Sequence, residues 1–171
     1  MTDLRVKIIG TMQKYGTMLD CLDRGWKVME VGIAGDEKPG GNYKFFGVGN
    51  DYKTLDVVAK YEPDIVADIC DTGLEGETWD LIIFSQTIEH IFDFYKAIRE
   101  SARLLKPSGY LILDCPFVYP YHPEEPDFGD YWRISPTAMQ KLLNSVGLET
   151  VHISLVDGIL TTSLSQKPNY V

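Results

Sequence analysis

The stretch KVMEVGIAGDEKPGG, Lys27 to Gly41, decides the fold. Val28-Met29-Glu30-Val31 is a short apolar run that enters Gly32 and then turns polar, the outline of a buried strand feeding a ligand loop. The glycines of a dinucleotide-binding loop are missing: counted from Gly32, the places two and five residues on hold Ala34 and Glu37. Gly40-Gly41-Asn42 lacks the Gly-Lys-Ser/Thr ending of a phosphate cradle. Asp36 and Glu37 would repel a pyrophosphate. The loop suits a ligand without phosphates and with a positive end.

Working outward, Met12, Tyr15, Leu19 and Leu22 fall on one face of a helix that Gly25 can end. Downstream, KFFGV (Lys44–Val48) reads as a second strand and YKTLDVVAKY as a short helix. Asp64–Ile69 reads as a third strand, and the uninterrupted apolar run Trp79–Ser85 as a fourth, of the kind buried inside a parallel sheet. Asp93 is placed to cap a helix carrying Phe94, Ile98, Ala102 and Leu105. Pro-Ser-Gly breaks that helix before a fifth strand, YLILDCP. Ser135-Pro136 starts another helix that runs to about Gly147. VHISLV and ILTTSLS flank Asp157-Gly158, a hairpin turn pair.

This order predicts an α/β fold: a doubly wound, mostly parallel, Rossmann-like sheet with a C-terminal antiparallel hairpin. Ligands of such sheets sit beyond the carboxyl ends of the strands, which gathers the loops after Val31, Val48, Ile69, Ser85 and Cys115 around one site. About ten residues separate the first two strands on this reading, too few for a helix. A shortened first crossover is expected, with the N-terminal helix or a partner covering the bare sheet face.

A chain of 171 residues, 44% hydrophobic, has the size and composition of one globular domain. We expect a single domain over residues 1–171, with an N-terminal helical segment (1–26) and a loop at 116–134. The net charge of −9 disfavours a nucleic-acid partner. No apolar run has membrane-spanning length, and MTDLRVKIIG lacks a signal peptide's apolar core, so a cytoplasmic protein without a membrane partner is expected. Cys21, Cys70 and Cys115 have no CxxC spacing, and reduced thiols follow.

S-adenosylmethionine is a ligand of the required kind, with an ammonium and a sulfonium, ribose hydroxyls and an adenine. The chain resembles a class I S-adenosylmethionine-dependent methyltransferase of the small-molecule group (type 11-like) from about Lys27 to Gln166. VMEVGIAG matches the family's first motif, which implies that Glu30 orders the methionine end, that Gly32 allows close backbone approach, and that Ala34 stands at a second usual glycine. DIVADICD resembles the third strand, with Asp68 accepting from the adenine amino group and the Ile69 backbone N–H serving a ring nitrogen. WDLIIFSQTIEHI resembles the fourth, with Ser85 and Gln86 facing the methionine moiety. ARLLKPSGYLILDCP resembles the helix, break and fifth strand. The acid that grips the ribose normally follows GV directly; here Gly49 stands in that place, Asp51 or Asn50 could supply the hydrogen bonds, and the role is carried to Asp51.

CPFVYPYHPEEPDFGDYWRISP, Cys115 to Pro136, is stiffened by prolines and rich in rings, and so reads as a functional loop over the strand ends. It resembles the Tyr-Pro-x-His…Asp-Tyr-Trp-Arg loop of small bacterial methyltransferases associated with sugar or cell-surface glycan metabolism. Acceptor contacts are expected from Tyr121, Asp130, Tyr131, Trp132 and Arg133. Tyr131 and Trp132 can stack on a ring or line the sulfonium, and Arg133 can hold a carboxylate or phosphate, or pair with Asp130. His122 is the first candidate base and His90 the second, against the reading of His122 as a loop histidine bonded to a local carbonyl. No ligand spacing for a metal is recognisable, and none is expected.

The sequence thus implies methyl transfer from S-adenosylmethionine to a small molecule, a sugar or other cell-surface precursor, by a monomer or homodimer. Two other readings stand beside it. Ala34, Gly49 and the short crossover fit an inactive donor-binding regulator on the same fold. A nicotinamide oxidoreductase is opposed by the failed fingerprint.

Overall fold

In the computed structural model, residues 2–33, 40–123 and 128–169 are described, with the side chains of Thr2 and Asp3 left out. Glu30, Gly32 and the other site residues above fall within these segments; Ala34 lies outside them.

Among the described residues, four α-helices and seven strands follow one another: α1 (Thr2–Leu19), β1 (Lys27–Val31), α2 (Tyr43–Phe46), β2 (Asp51–Asp56), β3 (Ile65–Val66), β4 (Trp79–Ser85), α3 (Phe94–Leu104), β5 (Leu105–Pro116), α4 (Pro136–Ser145), β6 (Glu149–Val156) and β7 (Leu160–Gln166). The sheet order is β3-β2-β1-β4-β5-β7-β6. β1 to β5 are parallel, while β7 runs antiparallel to both β5 and β6. This is the expected doubly wound sheet with a terminal hairpin, and its turn residues Asp157 and Gly158 both have positive φ, 48° and 76°.

Both faces of the sheet are covered, which explains the unbroken apolar run of β4. Leu81 and Ile83 pack with Met12 and Tyr15 of α1 and Phe46 of α2. Ile82 and Phe84 face the other way, among Ala97 and Ile98 of α3 and Met139 and Leu143 of α4. The N-terminal helix therefore covers this face together with α2 of the first crossover. It ends at Leu19, so Leu22 lies beyond it and is exposed.

The second strand stands elsewhere than expected. Lys44–Val48 is not a strand: Tyr43–Phe46 is one helical turn that buries Phe46. The strand is Asp51–Asp56, taken from the segment expected to be helical, and Val31 lies opposite Leu55 in its parallel pairing with β1. The connection spans residues 32–50 and so has room to cross the sheet. A short apolar run fits either a strand or a helical turn, and only its place against the core decides. In Asp51–Asp56 the last three residues, Thr54, Leu55 and Asp56, are all buried, which no solvent-facing helix would give.

At α4 the Ser135 hydroxyl accepts from the Ala138 N–H at 3.3 Å, as its sequence signal requires. Asp93 precedes α3 but makes no side-chain cap; its carboxylate pairs with Lys96 at 2.5 Å instead. On β6 a register shift between Thr150 and His152 leaves Val151 exposed, and the half-buried His152 ring faces α1, 3.2 Å from the Tyr15 hydroxyl.

Candidate functional site

The strand order reverses between β1 and β4, and a crevice forms there beyond their carboxyl ends. It is a cavity of about 660 Å³, within the range of small-molecule sites. Gly32 forms its floor, Asp56 ends β2 at one wall, Asp68 and Ile69 follow β3, and Ser85, Gln86 and Thr87 follow β4. His90 and Phe128 close the far side.

Gly32 has φ +78°, and its N–H donates to the Leu55 carbonyl at 2.8 Å. A Cβ there would stand 2.3 Å from the Thr87 methyl, so only glycine fits. Thr87 cannot yield cheaply, because its hydroxyl donates to the Val31 carbonyl at 2.9 Å.

Asp56 is the acid that the sequence reading missed. It is 3% exposed, and its carboxylate accepts the Ile33 N–H at 2.9 Å and the Val58 N–H at 2.8 Å. Each oxygen keeps a lone pair for a ligand hydroxyl. Asp51, expected in this role, sits at the opposite end of the same strand, across from Lys27, and is exposed. The error follows from the misplaced strand: a strand-end acid belongs to the site only at the carboxyl end. Gly49 is likewise a turn residue before β2, packed against Asp23, so it marks no loss of a ligand-binding acid.

Glu30 does not line the cavity. It is 1% exposed and accepts from the Asn42 amide at 2.6 Å and the Tyr52 hydroxyl at 2.5 Å. Its β1 neighbours Met29 and Val31 take the opposite face, as strand alternation demands. Glu30 thus fixes the return of the crossover against β2.

Asp68 is exposed at the cavity wall and accepts the Cys70 N–H at 2.8 Å; Ile69 is buried beside it. Ser85 and Gln86 stand at the end of β4, and both lean on Asp114 of β5. Gln86, held at φ +54°, donates its backbone N–H at 2.7 Å and its side-chain amide at 2.6 Å to one Asp114 oxygen. Ser85 reaches the other oxygen at 3.5 Å. Burial pushes the Asp114 carboxyl up to about 6. The sequence signal for Asp114 was slight, an acid inside an otherwise apolar strand.

The loop after β5 is held by its own charges. Asp130, with a 1% exposed side chain, takes a bidentate contact from Arg133 at 2.5 and 2.8 Å and also accepts the His122 N–H at 2.8 Å. Arg133 further donates to the Trp132 and Pro120 carbonyls at 2.8 and 3.1 Å. These two residues, expected to hold the acceptor, are spent on the loop itself. Trp132 is also an anchor: its indole N–H donates to Ile91 and Phe92 carbonyls, and its ring meets Phe94 at 4.8 Å. Tyr131 packs on Phe92, and Tyr121 is 76% exposed; neither lines the cavity. Phe128, stacked on Tyr61 at 6.2 Å, is the loop ring that does, and the sequence analysis gave it no role.

Arginine pairing holds the Asp130 carboxyl well below the usual range. A lowered carboxyl contributes stability that is present above its unfolded value and lost as pH falls through the folded one. Asp130→Ala should therefore destabilise the domain by about 2 kcal/mol at neutral pH in chemical denaturation, with the difference shrinking in acid.

The two candidate bases do meet. The rings of His90 and His122 lie 5.2 Å apart, His90 on the cavity wall and His122 on the loop.

Cavity, switch point and strand order together define the fold of the class I S-adenosylmethionine-dependent methyltransferases. Residues 37–113 match a family model described as a methyltransferase domain. Over 98 residues the chain is 31% identical to a sterol 4-C-methyltransferase of Caenorhabditis elegans, which covers 57% of this chain and 27% of that protein. The chain spans about a quarter of that relative and 1% of hybrid polyketide–nonribosomal peptide synthetases such as one from Penicillium citrinum. Among solved structures, an S-adenosylmethionine-dependent methyltransferase from Aquifex aeolicus superposes with TM-score 0.68 at 19% identity, covering 91% of this chain and 89% of that one. The 1,6-didemethyltoxoflavin N1-methyltransferase of Burkholderia thailandensis, solved with 1,6-didemethyltoxoflavin and S-adenosylhomocysteine bound, gives 0.66 at 13%, covering 92% of this chain and 78% of that one. No helix among the described residues is long and apolar enough to cross a membrane.

Proposed function

We propose that the domain binds S-adenosylmethionine in the β1–β4 crevice and transfers its methyl group to a small molecule held under the 116–134 loop. The observation that carries this reading is the pair of cavity acids, Asp56 at the carboxyl end of β2 and Asp68 beyond that of β3, in a chain whose sequence lacks the phosphate-cradle motif. On this reading Asp56 accepts from the ribose hydroxyls and Asp68 from the adenine amino group, with the Ile69 N–H on a ring nitrogen. Gly32 gives the donor close approach to the backbone. Ser85 and the carbonyl oxygen of Gln86 face the methionine end.

Methyl transfer is an in-line displacement, so alignment supplies much of the rate. A hydroxyl acceptor also loses a proton, for which His90 on the cavity wall and His122 next to it on the loop are the candidate bases. The acceptor is a sugar or other cell-surface precursor on the resemblance of the loop.

Titration calorimetry with S-adenosylmethionine and S-adenosylhomocysteine, with NAD as control, tests the reading. Saturable binding of the first two is expected, weakened about 10- to 100-fold by Asp56→Ala and about tenfold by Asp68→Ala, the effect of losing a charge-assisted hydrogen bond. Asp51→Ala should leave it unchanged. No binding to the folded protein at millimolar donor would overturn the proposal.

A further inference from the structure

Under the loop lies a cluster that donor binding does not use. Glu89, in the turn after β4, is fully buried, and neither of its carboxylate oxygens has a hydrogen-bond partner among the described residues. His90 and His122 stand with it: one ligand atom from each of the three lies within 4.8 Å of the others.

Both imidazoles are already oriented. His90 Nδ1 is 2.6 Å from the Gly129 carbonyl oxygen. His122 Nδ1 is 3.0 Å from the Pro120 carbonyl oxygen and 3.0 Å from an Asp130 carboxylate oxygen. A ring nitrogen facing such acceptors carries the proton, which leaves the Nε2 lone pair of each ring free. Arg133 Nη2 also approaches His122 Nδ1, at 3.4 Å, but it has shorter contacts to the Pro120 carbonyl and Asp130. Metal-binding histidines are typically fixed by such a donated N–H.

Glu89 has a matching need. An isolated buried carboxylate is costly as an anion, and this one is fully buried with no described donor to either oxygen. Protonation alone leaves a buried O–H with no described acceptor. A cation between the carboxylate and the two imidazoles answers both.

We propose that Glu89, His90 and His122 bind one divalent first-row transition-metal ion through a carboxylate oxygen and two imidazole nitrogens. Magnesium and calcium prefer all-oxygen sets, whereas two imidazoles select ions of the zinc, cobalt or nickel kind. Three protein ligands leave open positions for water or an acceptor oxygen, beside the cavity that His90 lines. Ion and proton compete for the same nitrogens, so an occupied site would acidify a bound acceptor hydroxyl by its charge, with the proton released to solvent, rather than take that proton on a histidine. The site rests on these three residues and not on the donor reading.

Protein stripped with chelator and titrated with cobalt(II), followed by calorimetry and visible absorption, tests it. One saturable site per chain is expected, with the ligand-field bands of a nitrogen- and oxygen-coordinated ion. His122→Ala and Glu89→Gln should each weaken binding by about a hundredfold. His122 is partly exposed on the loop, so His122→Ala carries the test if Glu89→Gln fails to fold. His152→Ala removes the chain's third histidine and should change nothing. Absence of saturable binding in the folded protein, or unchanged affinity in His122→Ala, overturns the site. Because the probe is cobalt alone, failure of donor binding leaves this result standing, and the reverse holds too.

Discussion

Gly32→Ala should destabilise the domain by about 4 kcal/mol and remove detectable donor binding. Two costs add. A non-glycine residue at φ +78° carries about 1–3 kcal/mol of backbone strain. Its Cβ would stand 2.3 Å from the Thr87 methyl and 2.6 Å from its hydroxyl, an overpacking worth about 1–3 kcal/mol more. Relief requires Thr87 to abandon its bond to the Val31 carbonyl, at the point where β1 and β4 diverge to form the crevice. The melting temperature should fall by roughly 10 °C or more for a chain of this size. Gly73→Ala is the control, since Gly73 also has positive φ, +65°, but open space at its Cβ position. A Gly32→Ala variant no less stable than Gly73→Ala would show that the floor of the crevice yields, and with it the close-approach role.

The second large effect is a pH dependence of stability centred on Asp114. Its carboxyl rises from the ordinary 3.8 to about 6, chiefly by burial, against the opposing hydrogen bonds from Gln86 and Ser85. A carboxyl raised in the folded state contributes stability that is fully present below the unfolded value and lost as pH rises through the folded one. About two pH units at roughly 1.4 kcal/mol each give about 3 kcal/mol, lost between pH 4 and pH 7. Asp114→Asn keeps an oxygen to accept from Gln86 but does not titrate. Urea denaturation of both proteins across that range should show Asp114→Asn gaining on the wild type by about 3 kcal/mol as pH rises. Parallel stability curves would mean that Asp114 titrates normally and that a compensating group faces it. The consequence for the site is direct, because the same carboxylate holds the end of β4 where the donor's methionine portion is proposed to lie.

The opposite signs of Asp114 and Asp130 come from surroundings rather than residue type. One is fully buried and bonded to uncharged donors, while the other is paired with Arg133. In the sequence Asp114 stands within an apolar strand and Asp130 three residues before Arg133, but only the fold shows that the first meets neutral donors and the second takes the pairing.

Sequence alone determined the features that depend on local patterning. β4 coincides with its expected residues, because seven consecutive residues without a break suit a strand buried on both faces. Ser135-Pro136 and Asp157-Gly158 were legible because capping and tight turns need only their own side chains and dihedrals. Gly32 followed from the end of the first strand and Asp68 from the family resemblance, and His122 and His90 were picked out as first and second candidate bases. Tertiary structure decided what depends on partners distant in the chain. Whether Lys44–Val48 or Asp51–Asp56 pairs with β1 is a question of which residues find a neighbouring strand, and that choice moved the candidate ribose acid from Asp51 to Asp56. Arg133, Asp130 and Trp132 were chemically suited to an acceptor, but their donors and acceptors were claimed by backbone and side chains brought to them by the fold. Glu89 looked like one more acid before a histidine; only packing reveals that it is buried without a partner, because burial is a property of everything around a residue.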